Sequence, residues 1–186
     1  MASSIKKDLS DALLRLCSRK NLSRLTIQEI IDEAGAGRQT FYNHFHNKND
    51  LVNWTWEVHL TGAGLVDQNE VYEYVLRVSM LHAKHRRFFL QACALTGQNS
   101  LVDYIIQHNR RNYTALALKH LREQEGGDGV SELPPEVLFA IDFNAYGATY
   151  MHIKWVRENM PVSAEAFSRR LVDSIPEELK TYLTII

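Results

Sequence analysis

The sequence predicts an all-α protein in which a small N-terminal helical module precedes a larger helical bundle. Along most of the 186 residues, apolar side chains recur every three to four positions, which is the period of an amphipathic helix. No segment of useful length alternates apolar and polar residues as a half-buried strand does. Hydrophobic residues make up 45% and charged residues 23%, the balance of an ordinary globular chain.

The first two helices are marked by apolar stripes and, in the second, by a capping signal. Apolar residues at helical spacing over Ile5–Leu16 predict a first helix that ends near Lys20. Thr26 and Glu29 form a T-x-x-E capping box, in which each side chain satisfies a free backbone N–H of the first turn. Gly35 stands where helices commonly end in a left-handed conformation.

Two further helices complete the N-terminal module. A short third helix is predicted from about Arg38 to Phe45, with Phe41 and Phe45 one turn apart and packed inward. Asn47 has the features of an N-cap for a fourth helix, with Asp50 three residues later. The apolar side of this fourth helix is predicted to contain Leu51, Trp54 and Val58.

The remainder of the chain also has helical periodicity. We expect helices over residues 71–95, with a break around His82–Arg87, and over residues 101–124, 135–159 and 163–174. The glycine- and proline-rich segment 125–135 is the clearest loop. These elements predict an N-terminal domain of residues 1–50, a connecting helix at about 47–62 and a C-terminal domain of residues 51–186.

The tight turn Gly35-Ala36-Gly37 predicts a helix-turn-helix, whose second helix enters the major groove of DNA. Arginine can contact guanine, glutamine or asparagine can contact adenine, and a threonine methyl can touch thymine. Tyr42 offers a hydroxyl on a stiff ring, and Lys48 adds a cation at the start of the fourth helix, so both suit phosphate contacts. The outward polar side chains of the third helix are Arg38, Gln39, Thr40, Asn43 and His44.

The charge distribution is compatible with local DNA contact. The net charge is -1, but residues 1–50 contain eight Lys/Arg and six Asp/Glu, whereas the rest of the chain is acidic. A mildly basic N-terminal part on an acidic body is therefore compatible with binding to a polyanion. The charge distribution by itself does not predict such binding.

The segment TIQEIIDEAGAGRQTFYNHFHNKNDL resembles the DNA-binding domain of the tetracycline-repressor (TetR) family. The shared pattern is a capped helix, an Ala-Gly turn, a short helix with Thr40-Phe41-Tyr42, and then Phe45, Lys48 and Leu51. The resemblance implies that Thr26, Tyr42 and Lys48 contact phosphates and that Arg38, Gln39, Thr40 and His44 face bases or nearby backbone. The chain departs from the pattern at Gly37, where the family usually has Ser or Thr, so one phosphate contact is expected to be missing.

The C-terminal part is predicted to dimerise. From Val137 to Trp155 the helix is apolar almost all round, so one face can pack in its own domain and another against a partner. The predicted interface residues are Phe139, Phe143, Gly147 and Met151. The family resemblance implies dimerisation and, in many members, an inducer pocket, and Met151–Phe167 loosely resembles the regulators of dihydroxyacetone kinase operons. Asp142 and Asn144 either meet an effector or are hydrogen-bonded; the effector residues are not predicted.

Several functions are disfavoured. We expect no cofactor and no metal, and His82 and His85 are predicted at the surface or at a pocket edge. Cys17 and Cys93 are expected to be reduced core cysteines. The sequence has no motif of an enzyme active site and no apolar run that could span a membrane, so a cytoplasmic location is expected.

The leading functional hypothesis is a ligand-responsive repressor that binds a near-palindromic operator in double-stranded DNA as a homodimer, with a small-molecule effector possible. The alternative is a transcriptional coactivator that acts through a protein partner, which the modest basic charge and Gly37 motivate.

Overall fold

The computed structural model describes residues 5–61, 71–125 and 132–183, and these residues form helices and connecting turns without a β-strand. The predicted all-α class is confirmed. Short 3-10 turns occupy Leu22–Arg24 and Thr181–Leu183. The helices are α1 Ile5–Arg19, α2 Ile27–Ala34, α3 Arg38–Tyr42, α4 Lys48–Trp56, α5 Val71–Lys84, α6 Arg86–Cys93, α7 Leu101–Glu125, α8 Pro135–Arg157, α9 Ala164–Asp173 and α10 Glu177–Lys180.

The chain divides into two compact units. The first unit consists of Met1–Leu60 and Lys84–Tyr104, and the second consists of Thr61–Ala83 and Ile105–Ile186. Helix α6 therefore belongs to the same unit as α1–α4, although α5 precedes it in the sequence. The predicted boundary at residue 50 does not include Lys84–Tyr104 in the N-terminal domain. The domain boundary stays a prediction.

The first unit is built around the packing of α1 against α2, with α3, α4 and α6 closing the core. Two exposed ion pairs join α1 to α2. Arg15 Nε donates to Glu33 Oε1 and Arg19 Nη2 donates to Glu33 Oε2, each at 2.9 Å. Such exposed pairs contribute little to stability, so the apolar core holds the unit together. Its fully buried members include Leu9, Leu13, Ile30, Phe41, Leu51, Trp56 and Phe89.

The second unit has its own core between α5, α7, α8 and the C-terminal segment. Val75, Leu116 and Ile141 are among its buried residues. The short helix α10, which no sequence pattern predicted, adds Leu179 to this core at 0% exposure. A helix of four residues is too short to show an apolar period, which is why it was missed.

The predicted apolar side of α4 needs a correction. Leu51 is buried and Trp54 is half-buried, but Val58 is 43% exposed. After Trp56 the backbone passes into a π-helical turn, Glu57–Thr61. Because a π-helical turn takes more residues than an α-helical turn, side chains beyond Trp56 leave the apolar stripe.

The prediction for His82 is wrong, since this residue is buried at 2% exposure and is not at a surface. Its ring lies edge-on to that of His152, with centroids 5.1 Å apart. His152 Nδ1 donates to the carbonyl of Ala148 at 3.0 Å, and its Nε2 lies 3.1 Å from Ser79 Oγ. Burial lowers the pKa of His82 well below its usual value and lowers the pKa of His152 to about 4.

Smaller expectations concern the cysteines, the loop and the membrane. Cys17 is buried, Cys93 is half-buried, and both are free thiols. The predicted loop at 125–135 lies largely outside the described residues. Within the described part of the chain, no three His, Cys, Asp or Glu side chains are grouped to hold a metal ion. None of the described helices is long and apolar enough to cross a bilayer.

Candidate nucleic-acid interface

The predicted capping box at the start of α2 is present. Thr26 Oγ1 accepts from the Glu29 backbone N–H at 3.2 Å, and the Thr26 backbone N–H donates to Glu29 Oε2 at 2.9 Å. The Lys20 ammonium also binds the Glu29 carboxylate. This contact, together with the hydrogen bonds from Thr26, lowers the pKa of Glu29 to about 2. The start of α2 is therefore fixed by a carboxylate that stays ionised.

The turn between α2 and α3 depends on a left-handed glycine. Gly35 has a φ of 64°, and its N–H donates to the Asp32 carbonyl at 3.2 Å. The next N–H, of Ala36, donates to the Ile31 carbonyl at 3.0 Å. These bonds satisfy carbonyls that the helix end would leave free, so the chain turns sharply into α3.

Helix α3 has an apolar side and a polar side. Phe41 is fully buried and Phe45, just past the helix, is 4% exposed, with 5.8 Å between the ring centroids. The helix ends at Tyr42, earlier than the predicted Phe45, because the following residues form a turn. Thr40 is half-buried, and the exposed residues of this segment are Arg38, Gln39, Tyr42, Asn43 and His44.

The polar side chains of α3 contact one another before any DNA is bound. Gln39 Nε2 donates to Asn43 Oδ1 at 3.1 Å, one helical turn away. The Arg38 guanidinium lies over the Tyr42 ring, 5.6 Å from its centroid. These two contacts hold four of the polar groups on the same side of a very short helix.

The N-terminus of α3 lacks a side-chain cap. Gly37 occupies the N-cap position with a φ of -90° and a ψ of 154°, and no side chain binds the free N–H groups there. Unlike Thr26 and Asn47, which cap α2 and α4 with their side chains, Gly37 leaves its helix without this support.

Lys48 is engaged inside the first unit. Its Nζ donates to the carbonyls of Leu22 and Leu25 at 2.9 Å each and lies 3.5 Å from the carbonyl of Ser23. Partial burial lowers the pKa of this ammonium. The sequence placed Lys48 correctly at the start of α4 but did not reveal that its donors are directed at the turn before α2. Those partners are 23 to 26 residues away, and no local pattern records them.

These features together describe a helix-turn-helix whose second helix is short and has an exposed polar side. The sequence model described as "Bacterial regulatory proteins, tetR family" matches residues 9–53. A second, described as "Transcriptional regulator C-terminal region", matches residues 69–177. The chain therefore belongs to the TetR family of transcriptional regulators, which are DNA-binding proteins and not enzymes.

Solved structures with this fold are similar over nearly the whole chain. The dihydroxyacetone kinase operon activator DhaS has a TM-score of 0.65 at 16% identity, covering 95% of this chain and 97% of that one. A TetR transcriptional regulator from Rhodococcus sp. RHA1 has a TM-score of 0.59 at 15% identity, covering 98% and 97%. TylP, a TetR regulator from Streptomyces fradiae, has a TM-score of 0.54 at 18% identity, covering 97% and 87%.

These identities establish a shared fold and nothing finer. Among curated protein sequences, none matches this chain significantly.

Proposed function

We propose that this chain is a ligand-responsive repressor that binds a near-palindromic operator as a homodimer. The observation that carries DNA reading is the exposed polar side of α3, held in place by the buried Phe41 and Phe45. In this proposal Arg38, Gln39, Thr40, Asn43 and His44 contact base edges or nearby backbone. The protein would act in the cytoplasm, where it meets its operator.

Phosphate contacts are proposed for Thr26, Tyr42 and Lys48. The Tyr42 hydroxyl belongs to a ring that is 41% exposed, so it can reach the DNA backbone. Thr26 and Lys48 are already hydrogen-bonded within the unit, through Glu29 and through the carbonyls of the preceding turn. A phosphate would therefore share these two groups with their internal partners. We expect Tyr42 to contribute more to DNA-binding affinity than either Thr26 or Lys48.

Dimerisation is proposed through the exposed face of α8. Phe139 is 73% exposed and Phe143 is 63% exposed, one helical turn apart. Gly147 and Met151 continue the same row at intervals of four residues, and both are exposed. An apolar row of this length supports a helix–helix interface between two copies, which would place two recognition helices in major grooves about 34–36 Å apart.

The test is selection of bound DNA from a random pool, followed by binding measurements on the selected sequence. We expect a near-palindromic site, an affinity that falls steeply with salt, and about a 5- to 100-fold loss of specific binding for Arg38→Ala. Tyr42→Phe should weaken binding on all sequences alike, since a phosphate contact carries no sequence information. The control Arg157→Ala removes an exposed cation of the second unit and should leave binding unchanged. Unchanged specific affinity in Arg38→Ala would refute the assignment.

The second candidate is a coactivator that works through a protein partner. The observations that favour it are the uncapped Gly37 and the internal engagement of Lys48, since both reduce the groups free for phosphate. Under this alternative, pool selection enriches no sequence, whereas co-purification from cells recovers a stoichiometric regulator whose DNA binding changes on addition of this chain.

A further inference from the structure

Basic side chains are concentrated in the first unit at the break between α5 and α6. The four consecutive residues Lys84, His85, Arg86 and Arg87 are all basic. Lys84 and Arg87 are exposed, and within the described part of the chain neither of them forms an ion pair. Cations that are grouped without a counter-charge create a positive local potential, which attracts anions.

These cations border a small cavity between α6 and α1. The cavity has a volume of about 180 Å³, and its wall on the α1 side contains Leu14, Cys17 and Ser18. Lys84, His85, Arg87 and Phe88 form the opposite wall, and no carboxylate is among the described residues that line the cavity. Sites for drug-sized molecules have volumes of about 300–1,000 Å³, so this cavity suits a single ionic group rather than a whole organic molecule.

The cavity wall offers donors and positive charge. Partial burial, the Lys84 ammonium and His59 together lower the pKa of His85, so no nearby anion compensates the cations here. Cys17 is 1% exposed, and its thiol forms no hydrogen bond within the described ranges. Burial raises the pKa of this thiol to about 12, so it keeps its S–H. An oxyanion would supply the negative charge and the acceptors that the wall lacks.

We propose that this cavity binds a single oxyanion group of the phosphate type. Lys84 and Arg87 contact the oxyanion from the exposed rim, while His85 and Cys17 donate to it from the inner wall. The group belongs either to phosphate free in solution or to the backbone of bound DNA, and both sources present the same chemistry. The binding of free phosphate does not rest on the proposed function.

Helix α6 also supports the turn that leads into α2. The Leu22 backbone N–H donates to Gln91 Oε1 at 2.6 Å, and the Leu22 carbonyl accepts from the Lys48 ammonium. An oxyanion held between α1 and α6 would add a contact between these two helices. Since only the folded protein has this cavity, bound phosphate should stabilise the first unit against unfolding.

The probe is inorganic phosphate, added to the full chain at constant ionic strength with chloride as the exchanged anion. By calorimetric titration we expect one phosphate bound per protomer, and an affinity at least about tenfold lower for the double variant Lys84→Gln/Arg87→Gln. The matched control Arg157→Gln/Arg170→Gln removes two exposed cations of the second unit and should change the affinity by less than about twofold.

A second variant separates the cavity from the positive charge around it. Ser18→Leu keeps every cation and fills the cavity with an apolar side chain, so phosphate affinity should again fall at least about tenfold. Lys84, Arg87 and Ser18 are all exposed, so these variants are expected to fold. Phosphate affinity that is unchanged in the double variant or in Ser18→Leu overturns the proposal, as does the absence of phosphate binding to the unsubstituted chain.

Non-specific binding to duplex DNA, measured over a series of chloride concentrations, identifies the source of the group. If the group belongs to the DNA backbone, the double variant should lower the slope of log affinity against log salt by about 2, and phosphate should compete with DNA. An unchanged slope assigns the site to free phosphate. If no variant and no unsubstituted chain binds DNA while phosphate still binds, the proposed function is refuted and this site stands.

Discussion

At the residue scale, Lys48 shows how one side chain can serve two purposes. Its ammonium donates to carbonyls of the turn that leads into α2, so it fixes the chain immediately before the capping box. The family resemblance implies a phosphate contact for the same residue. Both roles can hold if the ammonium positions the turn in the free protein and shares its charge with a phosphate in the complex.

Replacing Lys48 with methionine should destabilise the first unit. The substitution keeps the length of the side chain but leaves the carbonyls of Leu22 and Leu25 without this donor. We expect the free energy of unfolding to fall by about 1–3 kcal/mol in urea titrations. Lys7→Met, which removes an exposed lysine of α1, is the matched control and should cost less than about 0.5 kcal/mol. Equal stability of the two variants would show that the observed contacts contribute nothing.

His152 should make the protein less stable in mild acid. Burial lowers its pKa from 6.5 to about 4 in the folded state. As the pH falls, the unfolded chain therefore binds the proton first. The contribution of neutral His152 to the free energy of unfolding is fully present above about pH 6.5 and is lost as pH falls toward 4. A shift of this size corresponds to about 3 kcal/mol, measurable by urea unfolding at a series of pH values.

The variant His152→Gln should have a flatter pH dependence of stability over the same interval. His82, whose pKa is also lowered by burial, would still contribute. His44→Gln replaces an exposed histidine of the first unit and should retain the full pH dependence. If the His152→Gln profile matched that of the unsubstituted protein, the titration would have to be assigned elsewhere.

At the element scale, α3 has the weakest local support among α2, α3 and α4. It has five residues and no side-chain cap, whereas α2 has a capping box and α4 has Asn47. Gly37→Ser supplies a hydroxyl, and a Cβ there meets Thr40 Oγ1 at an ordinary 3.5 Å. We expect a gain of a few tenths of a kcal/mol in stability and tighter operator binding.

Gly37→Ala provides the comparison, because it adds the same Cβ without the hydroxyl. It should lower stability, since alanine is a poorer N-cap than glycine. Thermal unfolding and operator titration of the two variants side by side give the measurement. A gain in both variants would assign the effect to reduced flexibility of the unfolded chain rather than to capping.

The sequence predicts elements well where the signal is local. The Thr26 capping box, the left-handed Gly35, the Asn47 cap and the break near His85 are confirmed because each depends on residues a few positions apart. Val58 and His82 were misplaced because a π-helical turn and a buried histidine pair are set by tertiary packing. The polar side of α3 was predictable from its period, but the engagement of Lys48 was not.

At the scale of the whole molecule, the exposed row on α8 should determine the oligomeric state. The double substitution Phe139→Lys/Phe143→Lys puts charges into the proposed interface, so we expect a monomer by sedimentation velocity. Operator affinity should fall with it, because two linked half-sites bind more tightly than one. Met80→Lys charges a 55% exposed methionine of α5 and should leave the dimer intact. A dimer that survives the α8 substitutions would place the interface elsewhere.

The stacking of Trp155 on Phe167 has an optical consequence. The chain has three tryptophans, and Trp54 and Trp56 both belong to the first unit. Replacing those two with phenylalanine would leave Trp155 as the single indole emitter, with its Nε1 donating to the Val162 carbonyl at 3.0 Å. Its emission would then report on the surroundings of α8 and α9 in real time, without an attached dye, while the protein binds or releases its partners.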